Sequence, residues 1–225
     1  MGTPDRSSAI FVIGPPGAGK TTLTSFLAER LNLREFRSGD VFRKLASEPG
    51  GLAIQAEISL RLERNQPMDI DIYCEVLQLH VESIDGTFSG IVFDGFPRDL
   101  NQCEGIPEVL AAIDMTDANV TGILLQARPE VSSRRIAARS ICQECGENTT
   151  TGKHETCAST IPVPRSDNPA ASRRITSHHQ SEQELTTRFR QRWPLHTIAA
   201  DQSAEQVAAE SLDRILNQTT DSPPT

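Results

Sequence analysis

A short apolar run, Ala9–Ile13, meets Gly14-Pro15-Pro16-Gly17-Ala18-Gly19-Lys20-Thr21, and Leu23, Leu27 and Leu31 then recur at four-residue spacing. Strand, glycine-rich turn and amphipathic helix in that order start a βα unit, with the helix beginning near Gly19. The turn satisfies the Walker A pattern. Its glycines let successive backbone N–H groups converge on an anion, and the helix N-terminus adds a partial positive charge. Gly17, Ala18 and Gly19 supply the cradle and Lys20 reaches the β- and γ-phosphates. A hydroxyl from Thr21 or Thr22 serves Mg²⁺ or a phosphate oxygen. The competing reading is a Gly/Pro turn with a chance lysine; the flanking strand and helix argue against it. The pattern specifies a nucleoside triphosphate and is silent on the acceptor.

The rest of the chain continues the alternation. Glu35–Arg37 reads as a short strand, followed by helical segments at Val41–Ala46, Leu52–Arg64 and Ile70–Ser83. Gly90–Asp94 and Val120–Leu125 are continuous apolar runs of the kind that form buried strands, and Leu195–Ala199 is the last. Ser203 and Gln206 form a capping-box signal for a final helix carrying Val207, Leu212 and Ile215. Strands alternating with helices predict an α/β fold with a doubly wound parallel sheet, a P-loop NTPase core. Residues 140–173 break the rhythm, being rich in Thr, Pro, Ser, Cys and Gly with little apolar periodicity.

Two further segments and a glutamine bear on the acceptor. Arg37-Ser38-Gly39-Asp40-Val41-Phe42-Arg43 places a hydroxyl, Ser38, and an arginine, Arg43, at and after the end of the second strand. Asp94-Gly95-Phe96-Pro97-Arg98 ends the third, with Gln102 four residues on. Arg43 and Arg98 are planar, permanently charged forks suited to a phosphate. Asp94, at a strand end beside the glycine turn, can orient Mg²⁺ and its waters. Asp40 could instead be a helix N-cap, and Gly95–Pro97 only a turn.

Taken together, these segments resemble the adenylate kinase family: the TGD-x-x-R segment, an unaltered DGFPR signature and the glutamine after it. The resemblance covers about Ile10 to Leu216. It implies an enzyme that moves the terminal phosphoryl group of Mg-ATP onto AMP, from a single nucleoside monophosphate kinase domain spanning 1–225. Two mobile inserts are implied, an AMP-binding segment near 40–69 and a lid near 140–173. By the same resemblance AMP is received by Ser38, Arg43, Gly95, Phe96, Pro97, Arg98 and Gln102, the last at the adenine edge. One segment departs: Asn65-Gln66-Pro67-Met68-Asp69 stands where the family has G-x-L-V-x-D. Gln66, Pro67 and Met68 would contact the base partly through backbone, so selectivity for the acceptor base is open.

Arg135-Ile136-Ala137-Ala138-Arg139, on a helix predicted over Val131–Arg139, is similar to the family's R-I-x-G-R, whose first arginine stacks on the ATP adenine and whose second holds phosphates. A solvated basic face is the alternative. Arg165-Ser166-Asp167-Asn168-Pro169 and Arg173-Arg174-Ile175 resemble the lid segments that close on the transferred phosphoryl. The resemblance thus assigns catalysis to Lys20, Arg98, Arg139, Arg165 and Arg174, with Arg165 and Arg174 also serving AMP.

Cys142 and Cys145 form one x₂-spaced pair, and His154 and Cys157 a second, with eight residues between the pairs. Such pairs suit one tetrahedral, structural Zn²⁺ that would order an otherwise coreless lid. The family's long-lid branch carries such a site; here His154 stands for its third cysteine. Free thiols with a chance histidine are the alternative. Cys74 and Cys103 fall on predicted helices and read as packing residues.

Composition narrows the function classes. A net charge of −8 over 225 residues argues against a dedicated nucleic-acid or anionic-membrane binder. Five cysteines, an odd number, favour a reducing compartment over a disulfide framework. Met1–Ser8 is polar, so no signal peptide is expected, and Arg6 stands where a myristoylation motif wants Ser or Thr. A cytoplasmic monomer with ATP and AMP as its partners is the expectation. The rival readings are a UMP/CMP-type or other nucleoside monophosphate kinase and, in another class, a non-catalytic nucleotide-binding zinc protein.

Overall fold

The computed structural model describes residues 7–47, 53–64, 66–142, 148–149, 162–164, 175 and 182–217. Strand β1 (Ser8–Ile13) leads into helix α1 (Lys20–Leu31), then β2 (Arg34–Arg37) and α2 (Ser38–Ser47). Helices α3 (Ala53–Glu63) and α4 (Ile70–Glu82) precede β3 (Gly90–Asp94), and α5 (Leu100–Glu104) and α6 (Ile106–Ala111) follow it. Next come β4 (Asn119–Gln126) and α7 (Pro129–Ala137), whose proline sits in the first turn, where the missing N–H costs nothing. Three short strands succeed, β5 (Ser140–Cys142), β6 (Asn148–Thr149) and β7 (Pro162–Pro164). The chain closes with a helix over 182–190, here α8, then β8 (Leu195–Ala199) and α9 (Ala204–Asn217).

The main sheet is parallel throughout, in the order β2-β3-β1-β4-β8. Because β3 lies to one side of β1 and β4 to the other, the order switches direction at β1, and a crevice opens beyond the strand C-termini there. Both faces are covered at the centre of the sheet, which is why β1 and β3 read as apolar runs, whereas the edge strands β2 and β8 are mixed. Side chains of β1 alternate between two cores. Ala9, Phe11 and Ile13 point into one with Phe36, Phe93, Phe96, Tyr73 and Phe189; Ile10 and Val12 point into the other with Leu23, Leu27, Ile198 and Val207. The first core is built on rings: Phe11 stacks on Phe93 at 4.6 Å, and Tyr73 lies 4.5 Å from Phe96. The capping box forms as the sequence predicts, with Gln206 N–H donating to Ser203 Oγ at 3.3 Å and Ser203 N–H to Gln206 Oε1 at 3.1 Å.

Some boundaries differ from expectation. Helix α2 begins at Ser38, so Asp40 lies inside its first turn rather than capping it. Helix α7 ends at Ala137, leaving Arg139 just past its C-terminus. The segment after α7, read as breaking the strand–helix rhythm, contains an antiparallel sheet in the order β6-β5-β7. Its strands span only two or three residues each, too few to register as a periodic pattern. Among the described residues, no helix is long and apolar enough to cross a membrane.

The β1–β3 pairing sets a sharp steric condition. Gly90 is opposite Ser8, and a Cβ built on it would overlap the Ser8 backbone, including its carbonyl oxygen. Gly90→Ala should therefore destabilise the protein by about 1–3 kcal/mol, read as a lowered urea midpoint, because backbone cannot move aside as a side chain can. An unchanged midpoint would contradict this register.

Candidate functional site

A cavity of about 1400 Å³ opens at the C-terminal ends of β1 and β3. The turn between β1 and α1 forms one wall. Gly19 takes a left-handed conformation (φ 96°) as the residue before α1, and no side chain caps the helix. The first-turn N–H groups of α1 therefore meet the cavity without a side-chain competitor, as an anion site requires. Gly17 (φ 82°) runs so close to α7 that a Cβ would stand 2.6 Å from the Ser132 carbonyl oxygen. Lys20 Nζ folds over the turn, donating to the carbonyl oxygens of Gly14 at 2.8 Å and Pro15 at 2.9 Å.

The sheet brings the second half of the site alongside. Val12 is in register with Asp94, so the turn after β1 and the turn after β3 leave the sheet as neighbours. Thr21 Oγ1 donates to Asp94 Oδ2 at 2.5 Å across the cavity floor. A hydroxyl beside a carboxylate is an all-oxygen donor set of the kind a hard divalent cation prefers. Thr22 also lines the cavity, but Thr21 is the residue engaged with Asp94.

Beyond Asp94 the wall turns cationic. Arg43, from α2, pairs with Asp40 at 2.5 Å on the exposed rim. Arg98 Nε donates to the Gly95 carbonyl at 2.6 Å, and its Nη2 to Ser38 Oγ at 3.3 Å. Gly95 and Pro97 line the cavity with Arg43 and Arg98. Ser38 is fully buried beneath them and donates to the Asp94 carbonyl at 2.9 Å, so it ties α2 to the end of β3. Burial pushes the neighbouring Tyr73 hydroxyl above its ordinary pKa, which keeps that ring neutral. On the opposite side Arg135 and Arg139 reach the cavity, whereas Arg134 is exposed and does not.

Other predicted residues sit behind the wall. Phe96 is completely buried in the aromatic core, a supporting position rather than a lining one. Gln102 is buried as well: its Oε1 accepts from Arg98 N–H at 2.9 Å, and its Nε2 donates to the Met68 carbonyl at 3.0 Å. The amide thus bridges the 94–98 turn to the 66–69 segment. Arg61 fastens that segment further, donating to the Pro67 carbonyl at 2.9 Å and to Asp69 at 2.5 Å. Met68 is buried, while Gln66 and Pro67 are exposed.

Arg165, Arg174, Cys145, His154 and Cys157 lie outside the described residues, and only the backbone of Cys142 is described. Among the described residues, no group of three or more His, Cys, Asp or Glu could hold a metal. Several lining residues escaped the sequence reading. Ala200 and Gln202 enter from the β8–α9 connection, Glu205 from the first turn of α9, and Arg37 from the end of β2. None has a role in the motifs, and the sheet order brings them to the cavity.

Comparison with known proteins agrees with this geometry. The AAA domain model matches residues 13–149, more than half of the chain. A protein named adenylate kinase from Wolbachia pipientis subsp. Culex pipiens is 30% identical over 217 residues, covering 92% of this chain and 97% of that relative. Adenylate kinase from Clostridium perfringens strain SM101 is 26% identical over 216 residues, with 92% and 97% covered. That of Clostridium kluyveri is 33% identical over 137 residues, 61% of each chain. A P-loop matched in both sequence and geometry, inside a likeness that runs nearly end to end, leaves one conclusion: the chain belongs to the adenylate kinase family of P-loop phosphotransferases.

Proposed function

We propose that this protein transfers the terminal phosphoryl group of Mg-ATP to AMP, giving two molecules of ADP. The observation that carries the reading is one cavity with the phosphate cradle on one wall, the Arg43 and Arg98 forks on another, and Asp94 between them. The acceptor's attacking atom is a phosphate oxygen, already anionic, so no general base is needed. The bond from the γ-phosphorus to the β–γ bridging oxygen breaks as the bond to the acceptor oxygen forms. The protein's task is alignment, neutralisation of charge and exclusion of water. Lys20 and the α1 N-terminus would hold the donor phosphates, and Arg43 and Arg98 the acceptor phosphate. Arg135 and Arg139 would act on the ATP side, with Arg165 and Arg174 closing from the lid. Mg²⁺ enters with ATP, and Thr21 and Asp94 are the residues that would hold it and its waters.

AMP as the acceptor rests on Gln102. With Arg98 N–H and the Met68 carbonyl as partners, its amide keeps one N–H and one lone pair, enough to pair with an adenine edge. Because the amide is 2% exposed, the base reaches it only when the 66–69 segment moves outward. Comparing kcat/KM for AMP, CMP, UMP and GMP in a coupled ADP-formation assay tests the assignment. AMP should lead by about tenfold or more, since mismatched edges leave the amide unpaired. A lead for CMP or UMP would make this a sibling kinase, and no transfer to any acceptor would favour a non-catalytic nucleotide binder.

The same reading gives the lid a structural Zn²⁺ held by Cys142, Cys145, His154 and Cys157. Three thiolates and an imidazole complete a tetrahedral shell. Support comes from the strands around them: β5 pairs with β6 across the segment holding Cys145, and Cys142 is in register with Pro162 of β7, a few residues past Cys157. The cysteine usage supports a cytoplasmic location. Elemental analysis should find one zinc per chain, and binding should weaken as pH falls because the ligands must be deprotonated. Cys157→Ser should lose the metal and lower the melting temperature, and His154→Cys should keep it. Zinc-free protein together with unchanged stability of Cys157→Ser would mean that side-chain contacts hold the lid instead.

A further inference from the structure

Arg37 opens the Arg37–Arg43 segment without a role of its own there, yet it lines the same cavity as Lys20, Asp94 and Arg98. It ends β2, and its Cα is paired with that of Asp94 on β3. Glu35 and Arg37 are two residues apart on the strand and so share one face, the one toward α1. There Arg37 Nη2 donates to Glu35 Oε2 at 2.8 Å and to Ser25 Oγ at 2.8 Å. Glu35 is itself pinned, its Oε1 accepting from Thr24 Oγ1 at 2.6 Å. Ser25 reaches back along α1 to the Thr21 carbonyl at 2.8 Å, one turn below the Thr21 hydroxyl that meets Asp94.

The guanidinium is therefore fixed at the junction of the phosphate cradle and the arginine wall, not left to sweep through solvent. Among the described residues only Nη2 is engaged, and a guanidinium carries five N–H donors. The side chain is 37% exposed against 17% for Glu35, so the carboxylate lies behind and the cation faces forward. Asp40 and Asp94 add to Glu35 in holding the group firmly protonated. If neutralising Glu35 were its whole purpose, Arg37 would not need to stand in the cavity wall beside Asp94. A cation braced from behind, with donors left over, is organised to receive an anion.

We propose that Arg37 is a further binding residue for the acceptor phosphate, with Glu35 and Ser25 as the positioning residues that aim it. This rests on the nucleoside monophosphate kinase reading of the cavity. It assigns the acceptor phosphate three forks, from Arg37, Arg43 and Arg98, contributed by the end of β2, by α2 and by the turn after β3.

The test uses the full chain with Arg37→Gln, Arg37→Lys and Glu35→Gln. Steady-state kinetics with AMP and ATP varied separately are paired with calorimetric AMP binding and thermal melting. Arg37→Gln should raise both KM and Kd for AMP about tenfold or more while KM for ATP stays within about twofold. Arg37→Lys, which keeps the charge and loses the fork, should fall between, and serves if the glutamine variant does not fold. Glu35→Gln should weaken AMP binding by a smaller factor. AMP parameters within about twofold of wild type in both Arg37 variants, with only the melting temperature lowered, would make Arg37 a structural partner of Glu35 and overturn the proposal. Failure of the kinase reading looks different: wild type would then transfer to no acceptor, while calorimetric AMP binding would still weigh Arg37 on its own. Wild type that neither transfers to nor binds AMP overturns both.

Discussion

The site depends on the parallel pairing of β1 with β3. That register sets Val12 beside Asp94, so the glycine turn after β1 and the Asp94–Arg98 turn emerge together. One consequence is the 2.5 Å hydrogen bond from Thr21 to Asp94, which joins the first turn of α1 to the end of β3 at the cavity floor. Without the pairing the glycine turn would still bind anions, as any helix N-terminus can, but there would be no carboxylate beside it and no acceptor wall. Strand β2 extends the arrangement by one position, placing Arg37 opposite Asp94 and launching α2 with Ser38 and Arg43.

The packing that holds this register is double-sided. Phe11 and Phe93, adjacent on β1 and β3, stack with nearly parallel rings at 4.6 Å and 2°, and Phe36 on β2 meets Phe93 at 5.8 Å. The same rings reach Tyr73 of α4 and Phe96, so the helices under the acceptor wall share one core with the strands that place Asp94. On the other face Leu23 and Leu27 of α1 pack with Val207 of α9 around Ile10 and Val12. Phosphate cradle and acceptor wall are thus fixed by opposite faces of one sheet.

Much of this was legible in the sequence, for a physical reason. Gly90–Asp94 matched its observed strand because a doubly covered central parallel strand needs an apolar run. Gly14–Thr21 was legible because an anion cradle tolerates few alternatives at its glycines. Motif adjacency could not separate residues that line the cavity from those that support it. Phe96 and Gln102 sit within or beside the same signature as Arg98, yet one is core and the other bridges two segments. Arg37 was illegible for the opposite reason: its meaning comes from Asp94 and Ser25, partners that only the folded sheet brings near. The strands β5–β7 were missed because two- and three-residue strands carry no period.

The central claim is that the β1–β3 register builds one centre for the phosphates of ATP and their Mg²⁺. Asp94→Asn tests it most directly, since the amide keeps the shape and can still accept from Thr21. Calorimetry of ATP binding with and without Mg²⁺, alongside turnover, reads the result. The account predicts that metal-free ATP binds as well as to wild type or better, that Mg²⁺ no longer improves binding, and that turnover falls about a hundredfold or more. Wild-type Mg²⁺ dependence and turnover in Asp94→Asn would contradict it.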